Sequence, residues 1–257
     1  MSNSLYHARY CLTKEQEEII KPLLPRAKAT GRPALNSITV FNAILWIMSS
    51  GAAWRDLPPE YGNWNSIYHK FRQWIALNLF ENILKTLVAA TEKYLLVEMD
   101  STFCKVHQHA AGALKKHGDQ AVGISRGGKT TKIHALVNEN FQLIGLLLSG
   151  GHIHDSECAV ALLSKVNISG KIVLADKAFC SEQIRDYIRG QRAEVCIPDK
   201  VNAVTKHNFD LELYKARNIV ERFFLRIKTR RRIATRYDKL SLCFLNFVLL
   251  ASIMLLL

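Results

Sequence analysis

Three acidic side chains stand where acids are hard to accommodate. Asp100 follows the apolar run LLVEM, Asp176 follows KIVLA, and Glu221 sits in a strongly basic segment. Carboxylates that converge from separate elements can hold two divalent cations roughly 3.5–4 Å apart, which stabilise both the attacking and the leaving oxygen of a phosphodiester. Mg²⁺ favours such a site, taking a few carboxylate oxygens and leaving room for water and phosphate. A plainer reading exists for each residue. Either aspartate could cap a turn, and Glu221 could pair with Arg217 on a helix surface for a few tenths of a kcal/mol. Local charge strains that reading for Glu221, which is the only acid from Tyr214 to Tyr237, among nine basic residues. Tyr214, Arg217, Glu221 and Lys228 recur at spacings that place them along one face of a helix.

Basic residues are the second chemical signal. Arg226, Arg230, Arg231, Arg232 and Arg236 form the densest patch, and Arg126, Lys129 and Lys132 flank Gly127 and Gly128. Such groups suit phosphates, although cations at a helix end also suit its dipole. The whole chain carries a formal charge of +13, from 35 Lys and Arg against 22 Asp and Glu. That excess attracts polyanions and releases their counterions, so nucleic acid is the expected partner and an anionic membrane surface the competitor. The pairs His107-x-His109 and His152-x-His154 would suit a zinc hydrolase only if they converged. Asp155, beside the second pair, reads instead as a helix cap.

The six cysteines include no C-x-x-C pair and lie in apolar contexts, as expected of reduced, buried thiols in a cytoplasm. The opening MSNSLYHARYCLTKEQ has no apolar core of a signal peptide. The tail from Leu242 to Leu257 is apolar but short for a membrane span and contains Asn246 and Ser252, so it reads as a core helix. No membrane association is expected.

Two compositions position these residues. Residues 1–93 read as a helical N-terminal domain. Thr13 and Gln16 form a capping box, Asn36 or Ser37 caps a helix that Gly51 ends, and Asn65 opens another through Phe71 and Trp74. The basic, breaker-rich stretch from Pro25 to Pro33 reads as a loop. Short helices with tight turns suit a helix-turn-helix-like DNA reader, with His69, Lys70 and Arg72 towards its exposed face. Residues 94–257 read as an α/β domain with strands at LLVEMDSTFCKV, KIHALVNE, FQLIGLLLSG, KIVLAD and AEVCIP. A hairpin turn falls at Asn138 to Asn140, and one long helix runs from about Leu211 to Arg232.

The spacing Y-(2)-R-(3)-E-(6)-K, the block LADKAF around Asp176 and the block EMDSTFCKVHQHAAGA around Asp100 together resemble DDE transposases of bacterial insertion sequences, of the insertion-sequence-four and insertion-sequence-five type. SRGGKTTKIHALV, GHIHDS, RRRIATRYDKL and the N-terminal SSGAAWRDLPPEYGNWNSIYHKFRQW look like the same group, so the likeness covers nearly the whole chain. It implies a ribonuclease H-like mixed five-stranded sheet flanked by helices, in which the first and fourth strands are neighbours. It implies Asp100, Asp176 and Glu221 as catalytic ligands of Mg²⁺, with Mn²⁺ able to substitute. It implies DNA contacts from Tyr214, Arg217 and Lys228. The implied activity is metal-dependent cleavage at insertion-sequence ends and strand transfer into target DNA. Double-stranded DNA (terminal inverted repeats and target) and a homodimer or larger synaptic assembly follow as partners, in a bacterial cytoplasm near the nucleoid. A catalytically inactive DNA-binding repressor, a domesticated transposase and a nuclease without strand transfer are the alternatives.

Overall fold

The computed structural model describes residues 10–25, 35–91, 93–113, 118–202, 206–215 and 217–257. The basic loop expected from Pro25 to Pro33 lies outside them apart from Pro25, as do residues 114–117 of the connection after His107. Among the described residues four α-helices come first: α1 (Lys14–Ile20), α2 (Ser37–Ser50), α3 (Trp64–Ala76) and α4 (Leu79–Ala89). Their caps follow the sequence. Thr13 and Gln16 close a capping box, and the Asn36 side chain accepts from the N–H groups of Ile38 and Thr39. Asn63, not Asn65, caps α3. Gly51 ends α2 at φ +71°, a conformation natural only to glycine, and a Cβ there would meet the Arg231 side chain at 3.0 Å.

The sheet that follows is mixed. The strands β1 (Leu96–Val106), β3 (Gly128–Asn138) and β4 (Leu143–Gly150) form an antiparallel set. On the other side of β1 lie β5 (Ile172–Ala175) and then β6 (Glu194–Cys196), both parallel to it. The central order β4-β3-β1-β5-β6 puts the first strand beside the strand that ends at Asp176, as a ribonuclease H-like sheet requires. Two short strands enlarge the five expected to seven: β2 (Gly123–Ser125) pairs with β3, and β7 (Thr235–Arg236) pairs with the end of β1. These pairings extend the sheet where each long strand outruns its main neighbour.

Helices cover both faces. On one face α5 (Asp155–Leu163) and α6 (Glu182–Gly190) bury Leu162, Leu163, Ile184 and Ile188 against Val97, Met99 and Val173. The other face carries the C-terminal helices. The single long helix expected from Leu211 to Arg232 is instead three pieces: α7 (Leu211–Lys215), α8 (Ile219–Ile227) and α9 (Arg231–Ala234). Asn218, at φ −138° and ψ 5°, interrupts the first junction, and Arg230 is extended at the second. The last helix, α10 (Ser241–Leu256), is buried nearly all round, and Asn246 and Ser252 donate to backbone carbonyls one turn back. Among the described residues no helix is long and apolar enough to cross a membrane. Phe71 of α3 stacks on Phe247 of α10 with centroids 4.8 Å apart, and one apolar cluster runs from Leu12 and Ile20 through α2 to α4 into α8 and α10.

This packing corrects the reading of three basic residues as phosphate contacts. Arg232 is buried in a two-point pair with Asp238 (3.0 and 2.9 Å) and donates to the Ala52 carbonyl. Arg236 is wholly buried and donates to the carbonyls of Asp238, Gln120 and Lys239 and to the Thr131 hydroxyl. Lys132 turns inward to the Ile153 carbonyl (2.7 Å) and Asp155 (3.0 Å). In each case a long cationic chain is drawn inward by backbone carbonyls and a side-chain oxygen, a demand invisible in composition. Asp155 is also not the cap of α5. His154 holds that position, and Asp155 accepts from Ser101 (2.7 Å) and Lys132.

The arginine run therefore splits into buried and exposed members. Arg232→Ala should destabilise the fold by about 3–5 kcal/mol, because it leaves Asp238 buried without its partner. Arg231→Ala, on the exposed side, should change stability by no more than about 0.5 kcal/mol. Urea unfolding of both variants checks the contrast, and equal midpoints would refute it.

Candidate active site at the centre of the sheet

Asp100 lies in the middle of β1, paired with Ala135 of β3, and not at the strand end that its sequence context suggested. Alternation puts Glu98, Asp100, Thr102 and Cys104 on one side of the strand, the side covered by α8. One Asp100 oxygen accepts from the Ser101 N–H at 2.7 Å. Asp176 directly follows β5. The parallel register matches Met99 with Ala175, so the next residues, Asp100 and Asp176, come level at the point where the strands part. Asp176 also caps the single 3-10 turn Lys177–Phe179 through the Ala178 N–H at 2.7 Å. The capping reading of this residue is thus correct, and it leaves the second carboxylate oxygen for other work.

Glu221 is in the first turn of α8, with Arg217 just before that helix at 3.6 Å. The Arg217 guanidinium lies over the Tyr214 ring, 5.3 Å from its centroid. The interrupted helix therefore still gathers Tyr214, Arg217 and Glu221. Lys228, at the C-terminal cap of α8, does not face outward. Its ammonium donates to the Thr102 hydroxyl (2.6 Å) and the Phe103 carbonyl (2.9 Å), and burial lowers its pKa.

Electrostatics ties the three acids together. Burial first, and then the charges of Asp176 and Glu221, push the Asp100 carboxyl up to about 6, against the Ser101 N–H and the Arg217 guanidinium, which lower it. Among the described residues no three His, Cys, Asp or Glu side chains are drawn into a finished metal-ligand set. Glu221 accounts for part of this, being about half exposed and turned to Arg217. The donor set is nonetheless hard oxygen in surplus negative charge, and its partly buried member Asp100 is held above its ordinary range. That chemistry suits a divalent cation.

Sequence reasoning missed Glu98. It is buried, and one of its oxygens accepts from the backbone N–H groups of Ile219 (2.9 Å) and Val220 (3.1 Å) at the start of α8. The other oxygen is buried with no hydrogen-bond partner among the described residues. Burial raises the Glu98 carboxyl to about 7, although the two N–H groups lower it. The available signal was its place two residues before Asp100 in an otherwise apolar strand, which puts both acids on one face.

The remaining basic candidates scatter. Arg226 is exposed and shares the Phe141 ring with Arg222, at 5.2 and 4.3 Å from the centroid. Arg126 is exposed on the tight β2–β3 turn, Lys129 is exposed at the start of β3, and Arg231 is exposed beside Gly51. Arg230 is half-buried against the Ser49 hydroxyl. On α3, Lys70 bonds Gln73 and Arg72 reaches the Tyr68 hydroxyl. The two histidine pairs do not converge into a shared set. His107 accepts from the His109 backbone and lies beside Tyr237, and His152 packs at Gly123 and Gly150.

Comparison with known proteins adds the following. Residues 91–256 match the family model described as Transposase DDE domain, and residues 12–84 match one described as Putative transposase of IS4/5 family. The chain is 34% identical over 127 residues to a putative transposase for insertion sequence element IS6501 of Brucella ovis, covering 49% of this chain and 96% of that one. It is 31% identical over 121 residues to the uncharacterized protein y4sN of Sinorhizobium fredii, covering 45% of this chain and 96% of that one. A solved piggyBac transposase synaptic complex with hairpin DNA superposes with a TM-score of 0.42 at 11% identity, over 79% of this chain and 52% of that chain. The chain thus spans about half the length of that solved relative.

The raised Asp100 carboxyl has a consequence for stability. Its folded value of about 6 lies above the ordinary 3.8, so the folded state binds this proton more tightly than the unfolded chain does. The charged form therefore weakens the metal-free fold fully above about pH 6, and the penalty fades as pH falls towards 4. Asp100→Asn should stabilise the chelator-treated protein by about 1–3 kcal/mol at pH 7.5. The advantage should shrink by pH 4.5. A gap that stays constant across that range in denaturant titrations contradicts the assigned environment.

Proposed function

The chain belongs to the transposase DDE domain family, and from that premise we propose that it is a DNA transposase that cleaves phosphodiesters at insertion-sequence ends and transfers the freed strands into target DNA. What supports this reading is that Asp100 and Asp176 come level on two adjacent parallel strands and that the charges of Asp176 and Glu221 both bear on the Asp100 carboxyl. These three residues would hold divalent cations, Mg²⁺ by preference and Mn²⁺ in its place. When bound, the ions supply Lewis acidity at the scissile phosphate, favouring both the incoming and the departing oxygen.

The chain's own residues do the rest. Asp100, partly buried and repelled by the charges of Asp176 and Glu221, gains from a counter-charge. Glu221 turns from Arg217 to complete the set, and its release frees the Arg217 guanidinium for a DNA phosphate. The Tyr214 ring keeps that guanidinium aimed. Lys228 ties the far end of α8 to β1, two turns beyond Glu221. Hydrolysis and strand transfer differ only in the nucleophile, water in one and a 3′-hydroxyl in the other, so one site serves both. Exposed Arg226, Arg231, Arg126 and Lys129, with half-buried Arg230, contact the duplex backbone. Residues 1–93 supply end recognition, with Lys70 and Arg72 of α3 towards the DNA, and residues 94–257 supply the chemistry. Two or more copies pair the element ends in a bacterial cytoplasm.

The test uses a labelled duplex carrying an element end and a target duplex. Asp100→Asn, Asp176→Asn and Glu221→Gln should each lower Mg²⁺-dependent cleavage by roughly a thousandfold or more, corresponding to several kcal/mol of lost transition-state stabilisation. DNA affinity in a shift assay should remain within a few fold. Retained cutting and joining in any of the three variants removes that residue from the site. Cleavage by the wild type without joined product would favour a nuclease, and end binding without metal-dependent nicking would favour a repressor.

A further inference from the structure

The N-terminus of α8 is peculiar in where its cap comes from. The first N–H groups of any helix lack partners inside it and must be satisfied by a nearby acceptor. In most helices the preceding residue does this with its own side chain. Asn218 is of a suitable type, yet its side chain makes no capping hydrogen bond. The acceptor is Glu98, 121 and 122 residues earlier, which takes both the Ile219 and the Val220 N–H groups on one oxygen. Glu98 is only 2% exposed, so this carboxylate is committed to the interior.

The consequence is geometric. Glu98 and Asp100 lie two residues apart on one side of β1, and Ile219, Val220 and Glu221 are consecutive at the start of α8. A rigid strand and the first turn of a helix are thus fastened within two residues of a proposed ligand on each element. The other ties between α8 and β1 do not set this spacing. Lys228 acts two turns further along, and Val220, Phe223 and Ile227 give non-directional apolar contact. Negative charge at a helix N-terminus is favourable, so a carboxylate there is an effective clamp. Its buried second oxygen has no hydrogen-bond partner among the described residues, a feature that helix capping alone does not require.

We propose that Glu98 is a positioning residue, which sets the distance between Asp100 and Glu221 by capping α8 from within β1. This inference rests on the functional reading above. It acts through the other two acids and does not touch DNA or the reacting atoms.

The experiment measures Mn²⁺ uptake by the intact protein without DNA, from the loss of the free-ion electron paramagnetic resonance signal, with thermal unfolding in parallel. Wild type should bind Mn²⁺ at a site that Asp100→Asn removes. Absence of such a site would overturn the functional reading and this inference with it. Given that site, Glu98→Ala should weaken Mn²⁺ binding at least tenfold, and Glu98→Gln, which keeps an oxygen acceptor, should recover most of it. The decisive variant is Glu98→Ala with Asn218→Asp, which offers the helix a cap from its own chain. It should regain thermal stability without regaining Mn²⁺ affinity. Restored affinity in that double variant would show that any cap suffices and would overturn the positioning role alone. So would wild-type affinity in Glu98→Ala. If the alanine variants do not fold, Glu98→Asp, shorter by one methylene, should shift Mn²⁺ affinity several-fold, and an unchanged value would equally overturn the proposal.

Discussion

Two aspartates at the same level of neighbouring parallel strands repel each other, and partial burial strengthens the repulsion. Asp100 and Asp176 occupy this arrangement, and Glu221 adds a third negative charge from above. A fold selected for stability alone would not place them so, since a buried charge is tolerated when it is paired. Arg217 compensates in part, and a divalent cation would compensate more fully. The rest of the C-terminal region is organised to keep this unfavourable grouping in place.

Its restraints are of two kinds. Apolar contact presses α8 onto the sheet through Val220, Phe223, Phe224 and Ile227, and α10 packs behind it. Such contact fixes which face is inward but tolerates sliding, because the hydrophobic effect has no direction. Directional bonds then fix the register, from Glu98 to the start of α8 and from Lys228 to β1 at its end. The buried arginines do the same for the neighbouring turn. Arg232 and Arg236 join β7, the Ala52 loop and the segment around Gln120 through charge-assisted hydrogen bonds. Cation density in that stretch thus serves two purposes. Inward members build the scaffold, and outward members such as Arg226 and Arg231 keep the surface positive.

The N-terminal helices enter the same accounting. Composition changes near Lys93, yet the apolar cluster crosses that point without a break, since Phe71 and Trp54 meet Phe247 of α10. Helices that read duplex ends, as proposed for residues 1–93, would accordingly be held rigidly to the sheet that carries the acids.

Much of this was written in the sequence, because local rules govern it. The caps of α1 and α2, the turn after Asn138 and the burial of the final apolar helix follow from residue type, period and spacing, whereas the adjacency of the first and fourth strands was implied by the family resemblance. The three acids could be singled out because charge beside apolar runs, or alone among cations, is conspicuous in one dimension. Tertiary structure alone decided the rest. It placed Asp100 mid-strand, broke the long helix at Asn218, turned Lys132, Arg232 and Arg236 inward and gave Glu98 its two N–H partners. The inward turns and the Glu98 cap depend on which carbonyl, carboxylate or N–H lies within reach of a long side chain. That is a matter of distance in space, whether between Lys132 and Ile153, 21 residues apart, or between Glu98 and Ile219, 121 apart, and sequence spacing carries no record of it.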